Sequence, residues 1–431
     1  MGTNVTRKNK KTPAGAIPAD WDFCRLKDVL EVRDERCENN GTHLLASLTI
    51  EKGLIPKPAR YIREFLVKSK HKKYKVIHPK DIVFNPMNLR WGAICVAKLS
   101  QKAIASPVYQ VLHIKNGARI NLDFLENFFQ TYAFKNIVNR FAEGTLIERT
   151  GVGIDDFMQF PIPVPSCAEQ HKISNTINAI GENIDRTQMT IEQAQTLKKG
   201  LMHELFTHGL PGKHKSFKKT KIGEIPSDWE IVKLKELLHE PIRNGYSPNC
   251  PGETTGKWTL TLGAVTHEGF DVSGIKPAPL NDLRCLENTL LKGDLLVSRS
   301  NVRTRVGLAG VYEGNPKDCF YPDLLMRIRL NNSKVLIYWL EKWILSPSGR
   351  AYMEKNARGT SGSMVKIDRR ILEDLPVPLP PLSEQSKILE SIMYMQSNIY
   401  KNQELLCELK NIKAALAPAL LTGKVRVNCG G

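Results

Sequence analysis

One pattern of apolar and polar positions occurs twice along the chain. Residues 160–206 begin with alternating prolines, turn polar at Glu169, and then repeat apolar side chains at alternating steps of four and three residues. Residues 375–421 do the same, and each landmark lies 215 positions after its counterpart, as Pro376 does after Pro161. Alternating spacing of this kind is typical of a coiled-coil helix. The pattern therefore predicts two long helices in matching positions.

The apolar positions of each repeat fall on one stripe of its helix, called the seam here. The seam consists of Ile173, Ile177, Ile180, Ile184, Ile191, Leu201 and Leu205 in the first helix, and of Ile388, Ile392, Met395, Ile399, Leu406, Leu409, Leu416 and Leu420 in the second. Its polar interruptions also match, Thr187 with Asn402 and Lys198 with Lys413. A polar residue in a seam fixes register, so the match favours two helices packed on each other. Two separate long helices in ordinary cores are the alternative.

A second repeat precedes each helix. The stretch Gly15-Ala-Ile-Pro-Ala-Asp-Trp-Asp22 returns as Gly223-Glu-Ile-Pro-Ser-Asp-Trp-Glu230, 208 positions later. We therefore expect an α+β fold in which a globular domain followed by a long helix is used twice. The expected segments are a basic arm at 1–14, disordered to about Thr12, a domain at 15–165, a helix at 166–207, a linker at 208–222, a domain at 223–380, a helix at 381–422 and a tail at 423–431.

The charge balance indicates the kind of partner. The chain has 431 residues with 62 Lys plus Arg against 44 Asp plus Glu, a net charge of +18. Such a balance points to a polyanion, most often nucleic acid, and more weakly to an anionic membrane. The most apolar run, Val335 to Leu340, is interrupted by Glu341 and Lys342, so no membrane span is expected. Nine cysteines without a C-x-x-C pair favour reduced thiols in a cytoplasm.

Two polar segments occupy matching places in the two domains. Asp81–Phe84 and Asp294–Val297 are each expected to form a buried strand, and each is followed by a polar segment that ends before a glycine, Gly92 or Gly307. The contents of the two segments differ. A shared scaffold with unlike loops is what two readers of two different targets would need.

These segments supply the candidate DNA contacts, because arginine pairs bidentately with guanine or phosphate and asparagine with adenine. The candidates in the second domain are Arg299, Ser300, Asn301, Arg303 and Arg305, with Thr360, Ser361, Ser363 and Lys366 from a flexible hydroxyl-rich loop. The candidates in the first domain are Asn85, Asn88, Arg90 and Trp91, with Thr145, Arg149 and Thr150 as the counterparts of that loop, and Lys72 and Lys73 from a basic run. A merely solvated basic surface is the alternative.

Three stretches imitate catalytic motifs but fail on spacing. Gly252 to Trp258 has one residue too few for a phosphate-binding loop, and Trp258 replaces its Ser or Thr. His203 and His208 are one place too far apart for a zinc-binding H-E-x-x-H helix. The run from Phe84 to Met87 lacks the second proline and the aromatic residue of adenine methyltransferases. We therefore expect neither catalytic residues nor a metal site in this chain.

Several motifs together resemble the specificity subunit of type I restriction-modification enzymes. They are Gly223-Glu-Ile-Pro-Ser-Asp-Trp-Glu230, Pro376-Val-Pro-Leu-Pro-Pro-Leu-Ser-Glu-Gln385, Lys198-Lys-Gly-Leu-Met-His-Glu-Leu-Phe-Thr207 and Leu420-Leu-Thr-Gly-Lys-Val-Arg-Val427. They follow the family's order and spacing over residues 15–427. The first copy departs from the family at 166–169, where Ser-Cys-Ala-Glu replaces Pro-Leu-x-Glu but still provides a capping box.

The resemblance implies a non-catalytic subunit with two target-recognition domains at opposite ends of an antiparallel helix pair of pseudo-two-fold symmetry. Each domain would read one half of a split, asymmetric sequence in double-stranded DNA, and the helix pair would fix the spacer between the halves. Two modification subunits, adenine-N6 methyltransferases in the family, would dock on the helices, and restriction subunits with translocase and nuclease activity would join them.

The resemblance also assigns the cofactors. S-adenosylmethionine, ATP and Mg would bind the partner subunits, with no cofactor in this chain. A methyltransferase fused to its own reader and a basic nucleic-acid adaptor without sequence choice are the rival classes.

Overall fold

The computed structural model describes residues 9–38, 42–57, 73–142, 151–331, 333–359 and 364–428. Its contacts divide the chain into two units. Unit 1 comprises Met1–Gln188 and Glu404–Gly431, and unit 2 comprises Met189–Gln403. Each unit therefore combines one globular part with a portion of both long helices. Among the described residues, no helix has the length and apolar character needed to span a bilayer.

The chain runs through unit 1 in mixed strand and helix elements. They are β1 (Asn9–Thr12), β2 (Gly15–Pro18), β3 (Asp22–Arg25), α1 (Leu26–Val29), β4 (Leu30–Val32), β5 (Arg36–Glu38), β6 (Leu44–Thr49), β7 (Gly53–Pro56), β8 (Lys73–Ile77), β9 (Ile82–Phe84), the 3-10 helix Pro86–Trp91, β10 (Ile94–Val96), β11 (Ala103–Ala105), β12 (Gln110–Ile114), α2 (Leu122–Phe129), α3 (Tyr132–Ala142), α4 (Ile154–Met158), β13 (Pro161–Val164) and the long helix α5 (Cys167–Thr207).

Unit 2 repeats much of this order. Its elements are β14 (Phe217–Thr220), β15 (Gly223–Pro226), β16 (Glu230–Lys233), the 3-10 helix Leu234–Leu237, β17 (Arg243–Asn244), β18 (Trp258–Leu260), the 3-10 helix Leu262–Ala264, β19 (Val265–Thr266), β20 (Gly269–Phe270), β21 (Ile275–Pro277), α6 (Leu283–Glu287), β22 (Leu295–Ser298), β23 (Ser300–Asn301), β24 (Ala309–Val311), β25 (Cys319–Phe320), β26 (Leu325–Ile328), α7 (Ile337–Leu345), α8 (Pro347–Asn356), β27 (Val365–Lys366), α9 (Arg369–Glu373), β28 (Pro376–Leu379) and the long helix α10 (Leu382–Leu421).

A four-stranded antiparallel sheet is common to both units. Its order is β10-β9-β12-β4 in unit 1 and β24-β22-β26-β17 in unit 2. Every residue of β9 and β22 is buried, which is why both strands are apolar without alternation. The two expected buried strands are thus confirmed as equivalent strands of equivalent sheets. The remaining sheets differ, with the five-stranded order β5-β8-β11-β6-β7 in unit 1 and the three-stranded order β21-β18-β25 in unit 2.

Both strands begin after a buried carboxylate. Asp81 accepts the backbone N–H of His78 at 2.8 Å and pairs with Arg33 at 2.9 Å. Asp294 accepts the backbone N–H of Leu291 at 2.8 Å and is bound by Arg329. A buried carboxylate needs such partners. Because Asp81 and Asp294 directly precede β9 and β22, their bonds fix the position at which each strand begins.

A glutamine at the start of each long helix explains the Glu-Gln landmark of the repeat. The Gln170 side chain accepts the N–H of Asn121 at 2.7 Å and donates to the carbonyls of Arg119 and Pro165. Gln385 makes the same three bonds, to Leu336, Lys334 and Pro380. Both side chains are fully buried, so each satisfies backbone groups that water cannot reach. The glutamine thereby ties the long helix to its globular part.

The preceding glutamate accounts for the tryptophan of the entry motif. The Trp21 indole donates to Glu169 at 2.9 Å, and the Trp229 indole donates to Glu384 at 3.3 Å. The basic side chains that bond each carboxylate come from the segment after a long helix. They are Arg426 for Glu169, and Lys213 and His214 for Glu384.

The long helices enter the core of each unit from opposite ends. In unit 1, Ile173 and Ile177 near the start of α5 share a hydrophobic cluster with Leu420 and Leu421 at the end of α10. In unit 2, the end of α5 contributes Met202, Leu205 and Phe206 to a cluster with Ile388, Leu389 and Ile392 from the start of α10. Within each unit, the start of one helix therefore lies beside the end of the other. Every predicted seam residue is buried or partly buried.

The polar positions of the seam are satisfied in two ways. Thr187 and Asn402 donate to carbonyls of their own helices, at 2.7 and 2.8 Å. Lys198 is buried in unit 2, where its ammonium group contacts Glu268 and, from α10, Gln396. The Lys198 contact is thus one polar link between the two helices that depends on their register.

The predicted disordered arm and linker are wrong in part, because each contains a strand. Strand β1 pairs with β2, and β14 pairs with β15 in the same register 208 residues later. The glycines that open β2 and β15 have positive φ angles, 104° at Gly15 and 112° at Gly223. These hairpins went unnoticed because β1 and β14 are polar and largely exposed, so no apolar alternation marks them. The repeated module therefore begins at the hairpin.

Candidate nucleic-acid interface

The two predicted polar segments lie at equivalent places in the two units. Segment 1, residues 85–93, connects the antiparallel pair β9 and β10, and segment 2, residues 299–308, connects the antiparallel pair β22 and β24. Each contains a glycine in the left-handed region, with φ 96° at Gly92 and φ 69° at Gly307. The prediction of matching positions is confirmed, and the two segments adopt different conformations.

Segment 1 is a short 3-10 helix whose backbone is bonded mainly within the segment, with one further bond from the N–H of Val152 to the Pro86 carbonyl at 3.1 Å. The Asn85 side chain accepts the N–H of Met87 at 3.1 Å, and the N–H of Gly92 donates to Leu89 at 2.8 Å. Leu89 is buried and fixes the helix on the unit. Asn85 is therefore a cap residue rather than an open contact, while Asn88 is exposed.

Segment 1 presents an aromatic and apolar surface. Trp91 is 58% exposed and Met87 is 48% exposed. The guanidinium carbon of Arg90 lies 4.7 Å from the centre of the Trp91 ring. A stacked Arg–Trp pair joins a cation to a flat apolar face, and such a face can contact the methyl group of thymine or the rim of a base.

Segment 2 pairs with the strand that contains Lys366, another predicted DNA contact. Strand β23 pairs with β27 so that Ser300 lies opposite Lys366 and Asn301 opposite Val365. The expectation of a flexible loop through Lys366 is therefore wrong for residues 365 and 366, because backbone pairing fixes them. Lys366 is exposed beside this pair, whereas Ser300 is buried and is not available to a duplex.

The arginines of segment 2 differ in their freedom. Arg299 is half-buried, and its backbone bonds Leu324 and Ile367. Arg303 is exposed, with one N–H donating to the Glu354 carbonyl at 2.7 Å. Arg305 is exposed as well. Arg303 and Arg305 are therefore the two cations of this segment that a DNA duplex can reach.

Two residues near segment 2 were missed by sequence reasoning. Arg350 is buried on α8 and bonds the backbone of segment 2. His267 lies between β19 and β20, and partial burial together with the charges of Arg350 and Arg305 lowers its pKa. Neither residue lies in a recognisable motif. The sequence offers one signal for Arg350: a basic residue, Lys135, stands at the equivalent position of the first repeat, 215 residues earlier.

The remaining candidates divide into one exposed lysine and a group outside the described residues. Lys73 is exposed at the start of β8, and Lys75, two places on, is buried and paired with Asp34. The basic run is therefore not a uniform phosphate-binding face. The candidates that lie outside the described residues are Lys72, Thr145, Arg149, Thr150, Thr360, Ser361 and Ser363.

A family profile described as "Type I restriction modification DNA specificity domain" matches the chain twice, at residues 18–196 and 226–411. The two matches coincide with the two copies of the domain and helix. They cover well over half of the chain, so they establish the family.

Curated relatives match over most or nearly all of the chain. The putative type I restriction enzyme MjaX specificity subunit of Methanocaldococcus jannaschii is 27% identical and covers 97% of this chain and 96% of its own length. The EcoKI specificity subunit of Escherichia coli K12 is 24% identical, covering 76% of this chain and 70% of its own length.

Solved structures share the fold. A chain from a study titled "Structural basis underlying complex assembly and conformational transition of the type I R-M system" aligns with a TM-score of 0.55 at 19% identity, covering 95% of this chain and 99% of that chain. The type I system S subunit from M. genitalium aligns with a TM-score of 0.51 at 12% identity, covering 97% of this chain and 98% of that chain.

The relatives bear the name of the specificity subunit, which is the non-catalytic component of these systems and recognises the DNA sequence. Segments 1 and 2 lie between equivalent strand pairs, β9–β10 in unit 1 and β22–β24 in unit 2, and differ in their side chains. Equivalent supports with unlike segments are consistent with that role. The chain belongs to the type I restriction-modification DNA specificity family.

Proposed function

We propose that each unit reads one half of a two-part, asymmetric DNA sequence in the major groove. The observation that carries this proposal is that equivalent strand pairs, β9–β10 in unit 1 and β22–β24 in unit 2, present different side chains. Sequence is read through base edges, so different side chains on one scaffold read different half-sites.

The chemistry of the two segments favours different bases. Arg303 and Arg305 of segment 2 are exposed, and arginine pairs with guanine through two hydrogen bonds. Segment 1 offers Asn88, a donor and acceptor suited to adenine, beside the apolar face of Trp91 and Met87. We therefore expect guanine in the half-site of unit 2, and adenine or thymine in the half-site of unit 1.

We further propose that α5 and α10 form an antiparallel coiled coil of pseudo-two-fold symmetry that sets the spacer between the half-sites. The support is the meeting of opposite helix ends within each unit and the burial of the seam. Forty residues of helix are about 60 Å long, enough to separate two DNA readers.

The partners in this proposal are two modification subunits, with restriction subunits joining them in a cytoplasmic complex. Leu197 on α5 and Tyr394 and Tyr400 on α10 are exposed apolar residues away from the seam. We propose that the modification subunits contact the two helices at these residues. S-adenosylmethionine would bind the modification subunits, and ATP and Mg would bind the restriction subunits.

A matched deletion tests the role of the helices. Removing one heptad from both α5 and α10 removes about 10 Å of each helix, equivalent to about three base pairs. Mapping of methylated adenines should then give a shorter spacer between two unchanged half-sites. Removing the heptad from α5 alone is the control, since it breaks the register and should abolish methylation. An unchanged spacer in the double deletion contradicts the proposal.

Two binding measurements separate the rival classes. A methyltransferase fused to its own reader would bind S-adenosylmethionine as the purified chain, which a titration followed by calorimetry detects. If the chain is an adaptor without sequence choice, random competitor DNA displaces a bound duplex as well as competitor DNA that carries the site. Both measurements need matched salt, because phosphate contacts make DNA affinity strongly dependent on ionic strength.

A further inference from the structure

Segment 2 is held by a residue that lies outside it. Arg350 on α8 is 9% exposed. One N–H of its guanidinium donates to the carbonyl of Val306 at 2.7 Å, and another donates to the carbonyl of Thr304 at 3.2 Å. These two carbonyls flank Arg305. The rigid guanidinium fork of Arg350 thus bonds the backbone on both sides of Arg305, whose own side chain is exposed.

The segment is also held by its own backbone and by the buried side chains of Val306 and Leu308. Backbone bonds of 2.8 Å join Gly307 and Leu308 to Ser298, which leaves residues 302–306 outside the ladder of β22 and β24. Within the segment, the N–H groups of Arg305 and Val306 donate to the Val302 carbonyl at 2.8 and 2.9 Å, and the N–H of Leu308 donates to the Arg305 carbonyl at 3.3 Å. The Arg350 fork adds two bonds, to the carbonyls of Thr304 and Val306, which none of these backbone bonds uses.

The charges around Arg350 do not form a simple ion pair. The Glu354 carboxylate lies 3.3 Å away and is itself partly exposed, whereas Arg305 and His267 are basic groups nearby. Burial lowers the pKa of Arg350, with Glu354 acting against that effect. A buried cation is costly without hydrogen bonds, so the two carbonyls of segment 2 and the Glu354 carboxylate together offset the burial of Arg350.

Helix α8 contacts the segment at two further points. Gly307 lies against Met353, where an added Cβ would come within 2.6 Å of the Met353 side chain. The backbone carbonyl of Glu354 accepts the bond from Arg303. On its other side α8 packs closely on α7, since an added Cβ at Gly349 would lie 2.1 Å from the Trp343 carbonyl. The helix is therefore a firm base for the segment.

The equivalent place in unit 1 carries a different cation. Lys135 lies under segment 1, with its Cε 3.8 Å from the position of a Cβ at Gly92. An ammonium group is a single point of charge and cannot span two carbonyls in fixed geometry. In segment 1, backbone N–H groups serve the carbonyls instead: Gly92 donates to Leu89, Ala93 to Asn88 and Val152 to Pro86.

We propose that Arg350 is a positioning residue for DNA reading, which holds the backbone around Arg305 so that Arg303 and Arg305 meet the base edges in one arrangement. Arg350 itself does not touch the duplex. This inference rests on the proposed function of unit 2 as the reader of one half-site.

Replacing Arg350 by lysine keeps the charge and removes the fork. Segment 2 then samples several arrangements, and its arginines lose their fixed approach to the bases. Discrimination within the half-site of unit 2 should fall about tenfold, the size of one misplaced bidentate base contact. Binding to random DNA should not change, because phosphate contacts tolerate a mobile cation.

The experiment compares Arg350→Lys and Arg350→Met with Lys135→Met as the matched control. Each full-length chain is assembled with its modification subunit, methylated adenines are mapped, and the thermal unfolding of each purified chain is recorded. Arg350→Lys should relax base choice in the half-site of unit 2 alone. Lys135→Met should leave the half-site of unit 2 unchanged.

Two outcomes would overturn the inference. One is unchanged base choice in both Arg350 variants, and the other is an equal loss of both half-sites in Arg350→Lys together with a lower unfolding temperature, which marks a purely structural role. Failure of the proposed function looks different, because the unsubstituted chain would then direct no methylation of a two-part site.

Discussion

Segments 1 and 2 show how one scaffold gives two readers. Each connects neighbouring antiparallel strands of the four-stranded sheet in its own unit, and each contains a glycine in the left-handed region. Segment 1 folds on itself as a 3-10 helix and exposes Trp91 and Met87. Segment 2 combines turn bonds of its own with two bonds from Arg350 on α8, and its Arg303 and Arg305 side chains are exposed.

The difference teaches where conformational specificity comes from. A polar surface segment that exposes its side chains must still satisfy its backbone carbonyls. Segment 1 does this mainly with its own N–H groups, and the N–H of Val152 donates to its Pro86 carbonyl at 3.1 Å. Segment 2 depends on Arg350, about 45 residues further along the chain, so its shape depends on tertiary structure.

The largest expected effect concerns the two glycines. A Cβ at Gly307 would meet Met353 at 2.6 Å with φ at 69°, whereas the nearest atom to a Cβ at Gly92 is 3.8 Å away. Gly307→Ala should therefore lower the free energy of unfolding by about 2–5 kcal/mol, from strain and overpacking. Gly92→Ala, the matched control, should cost about 1–2 kcal/mol from backbone strain alone. Urea unfolding of the purified chains measures both, and equal losses would contradict the tighter packing of segment 2.

The next effect concerns the buried carboxylate that anchors α10. The Glu384 side chain is fully buried. Although burial opposes ionisation, hydrogen bonds from Lys213 and His214 hold the pKa of Glu384 below its ordinary value of 4.5. Glu384→Gln should cost about 2–4 kcal/mol of unfolding free energy at pH 7, because it leaves buried donors poorly paired.

This loss should depend on pH in a defined direction. A carboxyl group whose folded-state pKa is lowered stabilises the fold above its unfolded pKa, and the contribution is lost as pH falls through the lowered value. The difference between Glu384→Gln and the unsubstituted chain should therefore shrink below about pH 4.5. Unfolding midpoints measured from pH 3 to 7 test this. A constant difference across that range would show that ionisation of Glu384 contributes nothing.

A smaller effect is expected from single arginines. Arg305→Ala should weaken binding of a duplex carrying the full site by about 1–3 kcal/mol, the value of one bidentate base contact. The loss should disappear when the guanine in the half-site of unit 2 is replaced, since the contact is then already absent. Trp91→Ala is the control, and its loss should follow changes in the other half-site. Affinities at fixed salt test both variants, and an Arg305→Ala loss independent of sequence would make Arg305 a phosphate contact.

The smallest effect is expected from Lys73. If this exposed lysine contacts a phosphate, Lys73→Ala should weaken all duplexes alike and reduce the slope of log affinity against log salt by about 0.9. Lys401→Ala, an exposed lysine on α10, provides the control and should leave the slope unchanged. An unchanged slope in Lys73→Ala would assign Lys73 to the solvated surface.

Much of the fold could be predicted because its signals are local. The heptad spacing, the Glu-Gln landmark and the two apolar strands each reflect burial along one element, and the structure places them as expected. The β1–β2 and β14–β15 hairpins escaped notice because backbone bonds hold them and their side chains are mostly polar.

The site was predicted less completely, because its key contacts join distant residues. The pairing of Ser300 with Lys366 and the hold of Arg350 on segment 2 are set by strand and helix packing. The burial of Ser300 also depends on that packing, so its identity as a polar residue gave a wrong expectation of exposure. Charge and residue type located the segments, and the tertiary fold decided which side chains are exposed.

The most direct test of two separate readers is a genome-wide map of methylated adenines. Cells would express the modification subunit with the unsubstituted chain, with Arg305→Ala or with Trp91→Ala. If the two units read separate half-sites, one half of the two-part site relaxes in Arg305→Ala and the other half relaxes in Trp91→Ala, at constant spacing. Both variants relaxing the same half, or neither half changing, would contradict separate reading by the two units.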